Sequence, residues 1–186
     1  FTRWTMVSAH ISIIPEFLEK LELLGIMDHF EITQNEIIHK TTGSRIVFKG
    51  IKTGQGTATA NLKSIQGVTT WVLDEGEEMH DEDVFDRIDL SVRTKNTPNR
   101  VIVIMNPSDR EHMLFKKFSP ENKRKDTTYI HTTYLHNLDN LSESFIEQAD
   151  RTKEVNIARF EHLFLGTWID TEEGLLWNAA LIEANR

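Results

Sequence analysis

Bulky apolar residues in the first third of the chain switch between a strand-like and a helix-like rhythm. Trp4, Met6 and Val7 make residues 4–9 a predicted short strand. Phe17, Leu18, Leu21 and Leu24 then recur at i, i+1, i+4 and i+7. That one-sided stripe predicts a helix, with Ser12 as its cap and Gly25 placed to end it. Pro15 falls in its first turn, where the missing N–H is tolerated. Phe30-Glu31-Ile32, Ile37-Ile38-His39 and Arg45-Ile46-Val47-Phe48 are short β-rich pieces, the last two separated by Thr41-Thr42-Gly43-Ser44. A turn signal between such runs predicts a small antiparallel hairpin.

Residues 50–67 hold four of the nine glycines (Gly50, Gly54, Gly56 and Gly67) and read as a loop of the kind that carries function. Residues 68–73 predict a strand with Asp74 and Glu75 just beyond it. Asp81 then caps a helix presenting Val84, Phe85, Ile88 and Val92 on one face. Arg100-Val101-Ile102-Val103-Ile104-Met105 is a near-continuous β-branched run, the pattern of a strand buried on both faces of a parallel sheet. Asp109 opens a predicted helix through Met113, Leu114 and Phe118; residues 127–135 predict a further strand, and Ser142 opens a helical stretch toward Gly166. Strand and helix alternating in this order predict an α/β fold with crossover connections.

Composition narrows the class. The chain has 186 residues, 39% apolar and 27% charged, which suits one ordinary soluble domain with a real core. No apolar run approaches the roughly 18–20 residues that span a bilayer. A net charge of -8 argues against coating nucleic acid with the whole surface, while leaving room for a local basic groove. With no cysteine, disulfides and thiolate metal sites are excluded. The chain begins at Phe1 without a signal sequence and carries an apolar stretch near its end, Leu175 to Ile182, and is expected to be a piece of a longer protein.

The chemistry concentrates at Thr70-Trp71-Val72-Leu73-Asp74-Glu75. ATP hydrolysis needs magnesium between the terminal phosphates and a group that orients the attacking water. A carboxylate at the end of a buried strand can reach that metal, usually through water. An adjacent carboxylate points elsewhere and can polarise the water. Read alone, the same two acids could equally end a strand and lead into the next helix. Asn106, at the end of the neighbouring predicted strand, is a polar amide able to donate to phosphate and accept from water, although Asn106-Pro107 is also a good plain turn. Lys63, in the glycine-rich loop, could reach phosphate or nucleic acid; a solvated lysine is the commoner case.

Other combinations carry less. A phosphate-binding loop reads GxxxxGK[ST], and none of the nine glycines is followed by lysine. Glu77-Glu78-Met79-His80-Asp81-Glu82-Asp83 lacks the alternation and central glycine of a calcium loop and reads as a solvated turn and helix start. His131 and His136 read as ordinary histidines.

The chain resembles the large terminase subunit of tailed bacteriophages, the motor that pumps DNA into capsids. The resemblance runs in order through Arg45 to Gly50, Leu62-Lys63-Ser64-Ile65-Gln66-Gly67, Trp71 to Glu78, Ile104-Met105-Asn106-Pro107 and Thr132-Thr133-Tyr134-Leu135-His136-Asn137, and closes at Leu165-Gly166-Thr167-Trp168. It implies a P-loop NTPase-like (ASCE) core, with a mostly parallel sheet flanked by helices and incomplete at its N-terminal side. It implies a partial ATPase domain over residues 1–168 and a linker at 169–186 toward a nuclease domain. Asp74 matches the Walker B acid that holds Mg2+, Glu75 the catalytic glutamate, and Asn106 the motif coupling phosphate release to domain movement. The cofactors implied are ATP and Mg2+. The implied partners are double-stranded DNA, the small terminase subunit, the portal protein and further copies in a ring on the procapsid, in the host cytoplasm. Lys63 and Arg110 are candidates for a cation acting across subunits. Two rivals remain: a DExx-type helicase, suggested by Asp74-Glu75-Gly76-Glu77, and a non-catalytic interaction module that keeps the fold as scaffold.

Overall fold

Residues 1–53, 56–57, 67–122 and 124–170 are described by the structure, a computed structural model, and fall into two units, Phe1–Met105 and Asn106–Arg186. In the first unit, strand β1 is Thr2–Arg3. The strand expected at residues 4–9 is not there: Met6–Ser8 is a helical turn, Ala9–Ile13 a π-helical stretch and Ile14–Leu23 an α-helix. Burial explains the correction. Ala9, Ile13 and Ile14 are buried on a stripe that Phe17, Leu18 and Leu21 continue, packed around Ile37 and Phe48. A strand, facing alternate sides at every residue, cannot present that spacing. The chain enters the Ile14–Leu23 helix from a turn that is already helical, so Ile13 takes the cap position with no side-chain cap bond, and the predicted Ser12 cap is not used. Pro15 lies in the first turn and Gly25 leaves the helix at φ 65°, both as expected.

The predicted hairpin is part of a three-stranded antiparallel sheet, β2 (Phe30–Ile32), β3 (Glu36–His39) and β4 (Arg45–Val47). Glu31 pairs with Ile38 and Ile37 with Ile46, and Gly43 turns the second connection at φ 69°. After β5 (Lys49–Gly50), a short ladder of β6 (Lys52–Thr53) and β7 (Gly56–Thr57) lies within the stretch read as a loop. Gly54, Lys63 and Ser64 lie outside the described residues.

The main sheet adds β8 (Thr70–Leu73) and β9 (Arg100–Val103), in the order β5-β1-β8-β9 with every pair parallel. This is the predicted α/β arrangement. Helix Glu82–Asp89 connects β8 to β9 and starts as expected, with Asp81 Oδ1 accepting the Val84 N–H at 3.0 Å. Its Phe85 packs on Trp71, with ring centroids 5.1 Å apart. The β9 run was expected to be buried on both faces. Instead, Ile102 and Ile104 are 44% and 49% exposed. Among the described residues β9 pairs only with β8, so it is an edge strand with less to cover it.

In the second unit, the helix expected from Asp109 begins later, at Met113–Phe118, where His112 Nδ1 accepts the Leu114 N–H at 3.2 Å. Asp109 is instead engaged in a parallel bridge with Ile169. Residues 127–135 belong to no ladder among the described residues, and Tyr134–Asn140 is 3-10 helical. Strand propensity expresses itself only against a partner strand, and here none is offered. Ser142 opens helix Glu143–Val155, as expected. Asn156 caps helix Ile157–Leu165, which Gly166 ends at φ 67°. The Tyr134, Phe160 and Phe164 rings pack at 5.6 to 6.2 Å and join these elements. Of the expected linker, Ile169 and Asp170 are described. Among the described residues no helix is long and apolar enough to cross a membrane.

Candidate functional site

Two short-range facts place the acids. Strand β1 lies beside β8 with Thr2 opposite Leu73, so Asp74, the residue after β8, comes level with Arg3, the last residue of β1. The Thr2 carbonyl accepts the Asp74 N–H at 2.9 Å, and the Thr2 hydroxyl donates to the Val72 carbonyl while accepting the Trp71 indole N–H at 2.8 Å. From the other side, the Ile104 N–H donates to the Leu73 carbonyl and the Ile104 carbonyl accepts the Gly76 N–H at 2.9 Å. The turn carrying Asp74 and Glu75 is therefore held by strands on both flanks.

Glu75 takes φ 51° and ψ 51°, the left-handed region that a residue with a Cβ rarely enters. The backbone then closes a single 3-10 turn, Gly76–Glu78, with the Glu78 N–H on the Glu75 carbonyl at 3.0 Å and Met79 fully buried beneath it. Strain of this kind persists where the surroundings over-determine it, and it separates the directions of the two consecutive carboxylates.

Sequence reading missed the third member, Arg3. Its Nε donates to Asp74 Oδ2 at 2.8 Å, a terminal nitrogen lies 2.8 Å from the same oxygen, and the other lies 3.1 Å from Glu75 Oε1. The Arg3 and Asp74 side chains are 16% and 17% exposed, and that of Glu75 is 37%. Partial desolvation pushes the Glu75 carboxyl above its usual range. Arg3 opposes this, and the negative charges of Glu78, Asp74 and Glu77 add to it. A cavity of about 360 Å³ opens beside Asp74, bordered by Arg3, Ser12, Glu16, Lys20 and Ile104. The only signal for Arg3 was a cation next to a short apolar start. Nothing in the sequence announces which strands are neighbours.

Asn106 follows β9 as the first residue of the second unit, ahead of Pro107 and Ser108. The structure thus gathers Asp74 and Glu75 with Arg3 in the first unit, and assigns Asn106 to the other. The Arg110 guanidinium lies 3.0 Å from Asp170 and 5.2 Å from the Phe115 ring centre, so a role across subunits would have to break that pair. His131 contacts the Leu165 carbonyl through Nε2 at 2.8 Å, and His136 Nδ1 accepts the Thr133 N–H at 3.0 Å, both structural roles.

No curated protein matches the sequence. The fold is similar to that of the large terminase from a thermophilic bacteriophage: 17% identity and a TM-score of 0.66 over 90% of this chain and 40% of that one. The same protein in complex with ADP gives 16% identity and a TM-score of 0.64, covering 90% of this chain and 39% of that one. In complex with ATP-gamma-S it gives 15% identity and a TM-score of 0.58, over 90% of this chain and 38% of that one. This chain thus spans about 40% of the length of the solved terminase it resembles. The family model of the phage terminase large subunit matches residues 2–167, and the chain belongs to that family.

Proposed function

We propose that this chain is part of the ATPase of a phage DNA-packaging motor, which in the complete protein couples ATP hydrolysis to translocation of double-stranded DNA into a procapsid. The observation that carries the reading is the Asp74-Glu75 pair at the carboxyl end of β8, with parallel strands on both sides. Ligands of open α/β sheets bind outside the carboxyl ends of the strands. The fold it shares with a terminase solved in complex with ADP and ATP-gamma-S supports a nucleotide at that end.

The donor set suits magnesium arriving with its nucleotide. That ion takes one or two carboxylates together with phosphate oxygens and water. Among the described residues no group of three or more His, Cys, Asp or Glu gathers to cage a metal alone. Bound magnesium would neutralise developing charge on the phosphates. Asp74 would hold it through water, while Glu75 would orient the attacking water. Asn106, on the segment leaving β9, would couple phosphate release to domain movement. The partners of this reading are DNA, the small terminase subunit, the portal protein and neighbouring copies in a ring, in the host cytoplasm.

In the complete protein, Glu75→Gln should leave ATP binding in place and lower magnesium-dependent turnover by about 100-fold or more, the usual weight of a positioned base. Turnover within a few-fold of the parent would sink the assignment. The 186-residue chain by itself should not hydrolyse ATP, since no GxxxxGK[ST] loop lies in it. Magnesium-dependent turnover by this chain that Glu75→Gln abolishes would overturn that expectation.

A further inference from the structure

We infer that Arg3 is a positioning residue that engages, before metal and nucleotide arrive, the Asp74 carboxylate that would hold magnesium. The inference rests on the reading of Asp74 as the metal acid. Two guanidinium nitrogens converge on a single atom, Asp74 Oδ2, each at 2.8 Å, while the third reaches Glu75 Oε1 at 3.1 Å. A cation bridging two consecutive acids supplies the charge a divalent ion would otherwise bring. It also sets the two carboxylates in fixed directions, because the guanidinium is planar and presents its donors as a rigid fork. A lysine in its place would offer a flexible point charge without the planar fork that fixes both acids.

The arrangement is built into the strand register and does not depend on a chance surface meeting. Arg3 ends β1, Asp74 follows β8, and the Thr2 carbonyl already holds the Asp74 N–H. Arg3 and Asp74 are both largely shielded from water, so the pair is screened less than a surface ion pair. Two guanidinium nitrogens crowd Oδ2 and neutralise the Asp74 carboxylate, so a hydrated divalent ion must displace the guanidinium or bind more weakly beside it. The structure offers the displaced group a place to go. The cavity of about 360 Å³ that Arg3 borders is also bordered by Glu16, its one acid other than Asp74 among the described residues. Arg3 would then leave Asp74 for Glu16 as the metal enters, which couples the state of the site to helix Ile14–Leu23.

Titration with Mn2+, followed by the loss of the free-ion EPR signal, tests this on the 186-residue chain and its Arg3→Gln, Arg3→Lys and Asp74→Asn variants. Displacement predicts that Arg3→Gln binds Mn2+ about tenfold more tightly than the parent, with Arg3→Lys between them. Asp74→Asn should lose the binding. A residue that only braces the fold would leave Mn2+ affinity unchanged or lower it in Arg3→Gln, and either result overturns the inference while Asp74→Asn still loses binding. Mn2+ binding that survives Asp74→Asn would instead overturn the metal reading of Asp74. Absence of Mn2+ binding in parent and variants alike overturns the inference, which requires Arg3→Gln to bind, and leaves standing the reading in which magnesium arrives with its nucleotide. The parent chain gives a second measurement that needs no variant to fold: the Arg3 Nε–H resonance should shift as Mg2+ is added, and a resonance that stays in place overturns the displacement.

Discussion

The indole N–H of Trp71 donates to the hydroxyl of Thr2 across 2.8 Å of buried space, and that one bond ties the first strand to the strand bearing the acids. Both residues are 3% exposed. Thr2→Val keeps the shape but removes the acceptor, leaving a buried indole N–H unpaired. The expected loss is about 1–3 kcal/mol, read by chemical denaturation. Thr2→Ser keeps the hydroxyl and should lose less. A Thr2→Val chain as stable as the parent would show that the hydrogen bond contributes nothing.

Gly50 stands opposite Arg3 in the β1–β5 ladder. A Cβ there would fall 2.4 Å from the Met6 backbone nitrogen and 3.0 Å from the Thr5 carbonyl carbon. Neither is a flexible tip, so Gly50→Ala must push the Met6 turn away from the sheet. Overpacking of this kind costs about 1–3 kcal/mol. Thermal denaturation checks the stability. A chain as stable as the parent would mean that the turn yields freely.

The left-handed backbone of Glu75 separates two consequences of changing it. Asn and Val both remove the contact with Arg3, but Asn tolerates that conformation and a β-branched side chain does not. Glu75→Asn should therefore be more stable than Glu75→Val by about 1–2 kcal/mol, a difference that urea unfolding of the two variants would read. The comparison needs no assumption about the lost ion pair. Equal stabilities would mean that the turn relaxes once the glutamate is gone.

Asp81 Oδ1 holds the Val84 N–H at 3.0 Å and opens the helix whose Phe85 packs on Trp71. Asp81→Ala should cost about 1 kcal/mol, and Asp81→Ser should recover most of it. Equilibrium unfolding distinguishes the two. Identical losses for Ala and Ser would remove the cap as the cause.

Local rules made much of the fold legible. The Asp81 and Ser142 caps, the exits at Gly25 and Gly166, the β3–β4 hairpin and the β8 strand each depend on residues a few positions apart, where side-chain spacing and turn chemistry decide. Expectations failed where an element needed a distant partner. Residues 127–135 have strand composition and, among the described residues, no strand to pair with, and residues 4–9 run into a helical turn whose Ala9 joins the buried stripe of the helix that follows. The β9 run looks doubly buried in sequence, yet its exposure depends on what lies beyond its open edge.

The same division holds at the site. By itself the sequence determined that two acids follow a β-rich strand, because apolar pattern and residue type are properties of the chain's own order. It determined likewise that Asn106 follows the next such strand. Only the tertiary structure decided that Arg3 faces those acids and that Glu75 bends into a left-handed turn. It also decided that strands β1 and β9 grip the turn from both flanks. Parallel neighbours are joined through long crossovers, so which strands meet, and in what register, is settled by packing of the whole sheet and is written in no local motif.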